Sequence, residues 1–326
     1  MLSYDNSQPG RPVSLNTWSA SGMRQWVSRY LPARVKRGLK TGFPGAALSA
    51  LLRLRAYWVT RSLSSDRVFV QNTDDSAAGA SMSIIVPVHD APQVTRRCLA
   101  SLERYAAEAE IILVDDASRL LETRAMVRAY CDRNRWKLIS NLEAGGHSAA
   151  CRDASLLATR PYLCLLNSDT VVTPSCWRWI KEAFDADPNI AVAGPGTSRS
   201  ATRQCISVAR DCRFDWNDSQ ICAFAERVAS TLLKAPIIDL PWIGGFALFI
   251  RREVWHELGG FDPNLADYAN EMELCKRVTA AGHRAVWAKR GYIHHFGAQS
   301  YGQVLGQDEL LRRKVEGSQY VRSKHS

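Results

Sequence analysis

The sequence predicts an α/β fold with a mostly parallel central sheet and helices on both faces, preceded by a basic helical segment. Three observations carry that expectation. Five short apolar, β-rich runs recur between residues 82 and 194: MSIIVPV (82–88), EIILV (110–114), WKLIS (136–140), YLCLL (162–166) and IAVAG (190–194). The intervals between them read as helices, and strands alternating with helices pack as parallel sheets covered on both sides. Two of the runs lead straight into polar clusters, Asp115-Asp116-Ala117-Ser118 and Asn167-Ser168-Asp169, at the carboxyl ends of strands where such sheets bind ligands.

Ahead of the strands, residues 1–16 are rich in Ser, Asn, Gln, Pro and Gly without periodicity and read as disordered. From Trp18 to Leu63 bulky residues such as Trp26, Leu51 and Trp58 interleave with Arg and Lys, as in two short amphipathic helices broken near Gly42 to Gly45. Residues 71–81, QNTDDSAAGAS, read as a flexible linker. The expected division is therefore 1–81, a catalytic domain at 82–300 and a C-terminal helical tail at 301–326.

The net charge of +10 is concentrated, because residues 1–70 hold eleven Lys or Arg against two acids. Without a nucleic-acid-binding motif, that localisation argues against DNA or RNA and for an anionic membrane surface touched by residues 18–63. No stretch reaches the roughly 18 apolar residues of a membrane span, and no cleavable leader is visible. The expectation is a cytoplasmic protein, peripheral on the inner face of the cell membrane. Nine cysteines, an odd number without a CxxC pair, read as reduced packing thiols.

Taken alone, the acids at 115 and 116 fit either a capped turn or a ligand crevice. A phosphorylation receiver also carries acids at a strand end, but the later Asn-Ser-Asp and Gly-Gly-Phe-Asp motifs and the length have no place in one. A carboxylate at 169 suits a hard divalent cation, which takes oxygen ligands.

Several motifs in order make the case specific. From Ser83 to Ser300 the chain resembles the family 2 glycosyltransferases, especially rhamnosyltransferase-like members. The resemblance rests on SIIVPVHD (83–90), ILVDDAS (112–118), GGHSAACRDASLLATRPYLCLLNSDT (145–170), GGFALFIRREVWHELGGFD (244–262), NEMELCKRVTAAGH (270–283) and HHFGAQS (294–300). It implies the GT-A nucleotide-diphospho-sugar transferase fold. It also implies inverting transfer of a sugar from a UDP-, dTDP- or GDP-linked donor to a glycan or lipid-linked acceptor in bacterial surface polysaccharide assembly, with Mg²⁺ or Mn²⁺.

The resemblance further implies that Pro87, Val88, His89 and Asp90, with Asp115 and Asp116, hold the nucleoside, Asp116 through the base. Arg152 falls where members often carry an Arg before an Asn, here Asp153, and would meet the diphosphate beside Asn167 and Ser168. Asp169 would hold the metal with His295 or His294, and Trp242, Gly244 and Gly245 would lie on the acceptor side. Asn167 and Asn270 stand where acids are common in the family. They leave a second reading, a catalytically weakened nucleotide-sugar-binding or scaffolding protein of the same fold.

Helical geometry points independently to the base. With Asn270 at zero and roughly 100° per residue, Leu274, Val278 and Ala281 fall at roughly 20–80° and Glu271 near 100°, on the apolar face. Glu273 falls near roughly 300°, beside Lys276 and Arg277, as a solvated helix charge would. A carboxylate on the buried side is unfavourable unless paired or used, and the resemblance puts the catalytic base at Glu271. His294 and His295 follow a short strand and alternate faces, so at most one points into the crevice.

Overall fold

The computed structural model describes residues 73–211, 214–231, 235–297 and 307–325. The basic segment at 18–63 and the start of the chain lie outside the described residues. The description begins with helix α1 (Thr73–Ala80), where the sequence suggested a flexible linker. Its alanines are good helix formers. Ala78 is buried, and Asp75 lies 3.8 Å from Arg178. The α/β unit therefore includes these residues.

Four strands follow, β1 (Met82–Val88), β2 (Glu110–Asp115), β3 (Lys137–Ser140) and β4 (Tyr162–Leu166), joined by α2 (Pro92–Tyr105), α3 (Leu121–Asn134) and α4 (Gly146–Ser155). All four are parallel, in the spatial order β3-β2-β1-β4. The next stretch supplies β5 (Thr170–Val171), α5 (Cys176–Ala186), β6 (Ile190–Thr197), α6 (Ser207–Asp211), α7 (Asp218–Ser230) and β7 (Ile237–Asp239). The last supplies β8 (Ala247–Arg251), α8 (Arg252–Glu257), α9 (Asn270–Ala280), β9 (Arg284–His295) and α10 (Gln307–Lys324).

The sheet continues β4-β8-β6-β9-β5, with β7 also on β9. β8 is antiparallel to both β4 and β6, so the sheet is mixed beyond the fourth strand. The run ALFIR (247–251) sits among glycines and charges, and the rhythm of strand and helix did not mark it. β9 is a twelve-residue strand that includes both histidines as its last residues, not a short one that precedes them.

Alternation along β1 divides the core. Ile84, Val86 and Val88 join Leu99 and Leu102 of α2 with Trp177, Ile180 and Phe184 of α5 on one face. Ile85 joins Ala150 and Ala154 of α4 with Leu274 and Val278 of α9 on the other. Side chains of successive strand residues point oppositely, so a run apolar at every position must be covered twice. Among the described residues every cysteine is a free thiol, and all but Cys205 are buried. No helix there is long and apolar enough to cross a membrane.

Candidate active site

The carboxyl ends of β1, β2 and β4 open on one side of a cavity of about 430 Å³. Three carboxylates stand at these strand ends, and two of them turn away from the cavity. Asp90 Oδ1 accepts the amides of Arg119 and Leu120, both at 2.9 Å, capping α3 from a neighbouring loop. Asp115 Oδ1 accepts the Ser118 amide at 3.0 Å, closing its own turn. Neither lines the cavity, where the sequence had placed both beside the donor. Asp116 does line it, and its carboxylate accepts Asn141 Nδ2 (2.8 Å) and the amides of Gly145 and Gly146 (both 2.9 Å). Pro87, Val88 and His89 complete this wall, with His89 Nδ1 held 2.8 Å from the Asp116 carbonyl oxygen.

Asn167, Ser168 and Asp169 form the floor at the end of β4. Opposite them, His294 and His295 part as strand alternation requires. His294 is fully buried against Tyr292, its Nδ1 2.8 Å from the tyrosine hydroxyl. His295 faces the cavity, its ring stacked on Phe246 and its Nε2 3.2 Å from Asp169 Oδ1.

The remaining ring nitrogen of His295 decides what the pair can hold. Nδ1 lies 2.8 Å from the Arg199 carbonyl oxygen, which only accepts, so Nδ1 carries a proton. In the neutral ring Nε2 then presents a lone pair toward a carboxylate, a repulsive contact that either a proton on Nε2 or a divalent cation between the two would resolve. Among the described residues no three His, Cys, Asp or Glu side chains converge. Two protein ligands suit an ion whose other positions are filled by water and phosphate oxygens, as Mg²⁺ characteristically arranges.

Helix α9 supplies a further part of the lining. Glu271 faces the cavity, packed so closely against Gly245 that a Cβ on residue 245 would collide with its carboxyl group. Burial pushes the Glu271 carboxyl up to about 7, because little around it compensates a negative charge. Asn270 beside it is fully buried. Oriented to satisfy its surroundings, its amide nitrogen donates to the carbonyls of Tyr268 and Leu265, both at 3.2 Å. An acid there would set acceptor against acceptor, so Asn270 is a structural residue of the turn.

Glu273 corrects the helical reading. It is wholly buried, not solvated, with Arg277 Nε at 2.9 Å and Lys324 Nζ at 2.7 Å. Burial raises its pKa, but the hydrogen bonds from Arg277 and Lys324 outweigh it and hold the group below the ordinary carboxylate value. The helical wheel marked the face opposite the sheet correctly. What covers that face is α10, contributed by a segment distant in sequence.

Arg152 also lies off the cavity lining. Its Nη1 lies 3.4 Å from the Phe261 carbonyl oxygen, and it does not reach the cavity. The cations that do are Arg199, on the loop after β6, and Lys314, on α10. His147, Asp267 and Tyr268 also line it, none of them singled out by the sequence. Burial lowers the pKa of His147, favouring the neutral ring. Trp242, Gly244 and Gly245 do border the cavity, Trp242 packing partly on the core as well.

The mixed sheet with its strand-end cavity is the architecture of the GT-A fold. Two solved structures share the fold. That of GalNAc-T7 with UDP, GalNAc and Mn²⁺ has a TM-score of 0.51 at 18% identity, over 66% of this chain and 43% of that one. That of the mannosyltransferase PcManGT from Pyrobaculum calidifontis, in complex with GDP-Man and Mn²⁺, has a TM-score of 0.50 at 17% identity, over 77% of this chain and 66% of that one. Residues 83–225 match the model of Glycosyl transferase family 2. It is also 28% identical over 242 residues to the O-antigen biosynthesis protein RfbC of Myxococcus xanthus. That alignment covers 69% of this chain and 18% of RfbC.

Proposed function

We propose that the chain is an inverting glycosyltransferase that moves a sugar from a nucleoside diphosphate sugar to a hydroxyl acceptor. The observation that carries this is one cavity lined both by the Asp169–His295 pair and by a Glu271 carboxyl raised to about 7. A base whose pKa lies near working pH is deprotonated often enough to act and basic enough to take a proton. Glu271 would accept the acceptor hydroxyl proton as that oxygen attacks the anomeric carbon from the face opposite the diphosphate, which inverts the centre.

The strand-end wall, Pro87 to His89 with Asp116, would hold the nucleoside. Asp169 and His295 would hold Mg²⁺ or Mn²⁺, which supplies Lewis-acid neutralisation of the departing diphosphate. Trp242 offers an aromatic face to the acceptor sugar. The match to the family model and the likeness to an O-antigen biosynthesis protein support an acceptor in bacterial surface polysaccharide or lipid-linked glycan assembly. The weakened-enzyme reading loses ground, since Asn270 has a structural duty of its own.

Purified full chain incubated with UDP-, GDP- and dTDP-linked sugars and Mn²⁺ should release one nucleoside diphosphate, and Asp169→Asn should lower that release by about 10³-fold. Equal turnover by the two proteins, or none from any donor, overturns the reading. A cytoplasmic location at the membrane face belongs to the same proposal, through residues 18–63. Co-sedimentation with anionic vesicles that weakens with salt supports it; binding indifferent to lipid charge overturns it.

A further inference from the structure

Helix α10 is fixed to the loop and helix that carry the proposed base. Arg313 Nη1 lies 2.7 Å from Asp267 Oδ2, and the Tyr320 hydroxyl donates to Asp262 Oδ2 at 2.9 Å. Lys324 Nζ donates to Asp262 Oδ2 at 2.6 Å and to Glu273 Oε1 at 2.7 Å. Between these anchors Gly317 rests on the turn that launches α9, where a Cβ would stand 2.8 Å from the Tyr268 carbonyl oxygen. Val321 is fully buried beneath the helix. So many anchors along one helix fix the place from which Lys314 starts.

Lys314 reaches the cavity wall and passes over the Tyr268 ring, its Nζ 5.3 Å from the centroid. On the same helix, Arg312 is paired with Glu309 and Glu316, and Arg313 with Asp267 and Glu309. Among the described residues, Lys314 and Arg199 form no ion pair. Partial burial and the neighbouring Arg199 charge lower the pKa of Lys314, as expected for two cations that share a cavity. The Arg199 backbone is tied through its carbonyl to His295, and His295 to Asp169, so its guanidinium stems from the metal side of the cavity.

We propose that α10 is a working part of the site: Lys314 and Arg199 together clasp the diphosphate of the donor, and the Lys324 contacts to Glu273 and Asp262 hold the helix where Lys314 can do so. The proposal rests on the nucleoside-diphosphate-sugar reading above. A diphosphate spanning the Asp169–His295 pair and the two cations would neutralise a cavity that otherwise sets like charges together. A guanidinium offers it a bidentate fork and an ammonium a point charge. The tie from Arg199 to His295 favours the donor's diphosphate over a phosphate on a lipid-linked acceptor.

Isothermal titration calorimetry of the full chain with UDP, GDP and dTDP in Mn²⁺, with the matching monophosphates and with inorganic pyrophosphate, tests it. For the nucleoside diphosphate that binds, Lys314→Gln and Arg199→Gln should each weaken binding about tenfold. Monophosphate binding should change less, pyrophosphate should show the same dependence, and Lys314→Arg should recover most of the loss. Lys324→Gln should weaken the diphosphate in the same direction while leaving the monophosphate nearly unchanged. If the parent binds a diphosphate and Lys314→Gln binds it as tightly, the clasp is overturned and the donor reading stands. The clasp is likewise overturned if Lys314→Gln instead weakens only capture of polyprenyl-phosphate vesicles. If the parent binds none of the nucleotides, the donor reading itself fails and the clasp falls with it.

Discussion

Asp116 and Glu271 face the same cavity and are held there in opposite ways. The strand-end carboxylate is surrounded by donors, two backbone amides and the Asn141 side chain, and these fix its position. The carboxyl on α9 is packed against a residue with no side chain, and burial lifts its pKa to about 7. A carboxyl that burial strips of compensating donors is the better placed of the two to take a proton. The same contrast repeats within α9, where Glu273, two residues from Glu271, is enclosed by Arg277, Lys324 and His325.

The contrast breaks first at the base. Glu271→Gln should cut transfer by about 10²–10⁴-fold, the usual worth of a general base, with donor affinity unchanged in a binding titration. The parent's kcat should rise with pH and level off above about 7, where Glu271 is ionised. Comparable loss in Asp116→Asn with retained donor affinity would erase the distinction between the two acids.

Glu273→Gln should lower unfolding stability by roughly 3 kcal/mol, since it leaves Arg277 and Lys324 around a neutral, buried group. Denaturant unfolding reads it, and a stability within error of the parent would return Glu273 to the solvated role its sequence position suggested. Gly245→Ala should come next, reducing transfer by about 10²-fold through displacement of the Glu271 carboxyl, with far-UV circular dichroism unchanged.

The smallest effect is a pH dependence of stability. The folded pKa of Glu271, about 7, exceeds its ordinary value of 4.5, so the folded state binds its proton more tightly. The stabilisation is fully present below about 4.5 and is lost as pH rises through about 7. Above pH 7, Glu271→Gln should therefore be more stable than the parent by on the order of 2 kcal/mol, a difference that vanishes in acid. A constant difference between pH 5 and 8 would show that the carboxyl is not raised.

Legibility in the sequence followed the reach of local pattern. The five strands of the first half, the strand-end acids and the cavity-facing side of α9 are all set by residues near in sequence. Which strand-end acids turn away from the cavity was not legible, because Asp90 caps α3 through Arg119 and Leu120, thirty residues on and identical in pattern to solvated positions. Arg199 lies in the loop SRSATRQ, where only the rule that ligands gather past strand ends gave a hint. Lys314 gave none, sitting on a helix charged on nearly every side. Glu273 was misread for the same reason, since its cover arrives from some fifty residues away. The N-terminal reading concerns residues outside the described structure, and only the vesicle experiment addresses it.

Gly245 and Glu271 fill one volume between them, and that makes them a single heritable choice. A Glu reaches one methylene further than an Asp, and the missing Cβ at 245 is where that extra length goes. Gly245→Ala should be damaging beside the native glutamate yet tolerable in a Glu271→Asp background, so the same substitution changes its consequence with its partner. A lineage must therefore shorten the acid before it can gain a side chain at 245. A double-mutant cycle of Gly245→Ala and Glu271→Asp would measure that dependence as a coupling energy between two positions far apart in sequence.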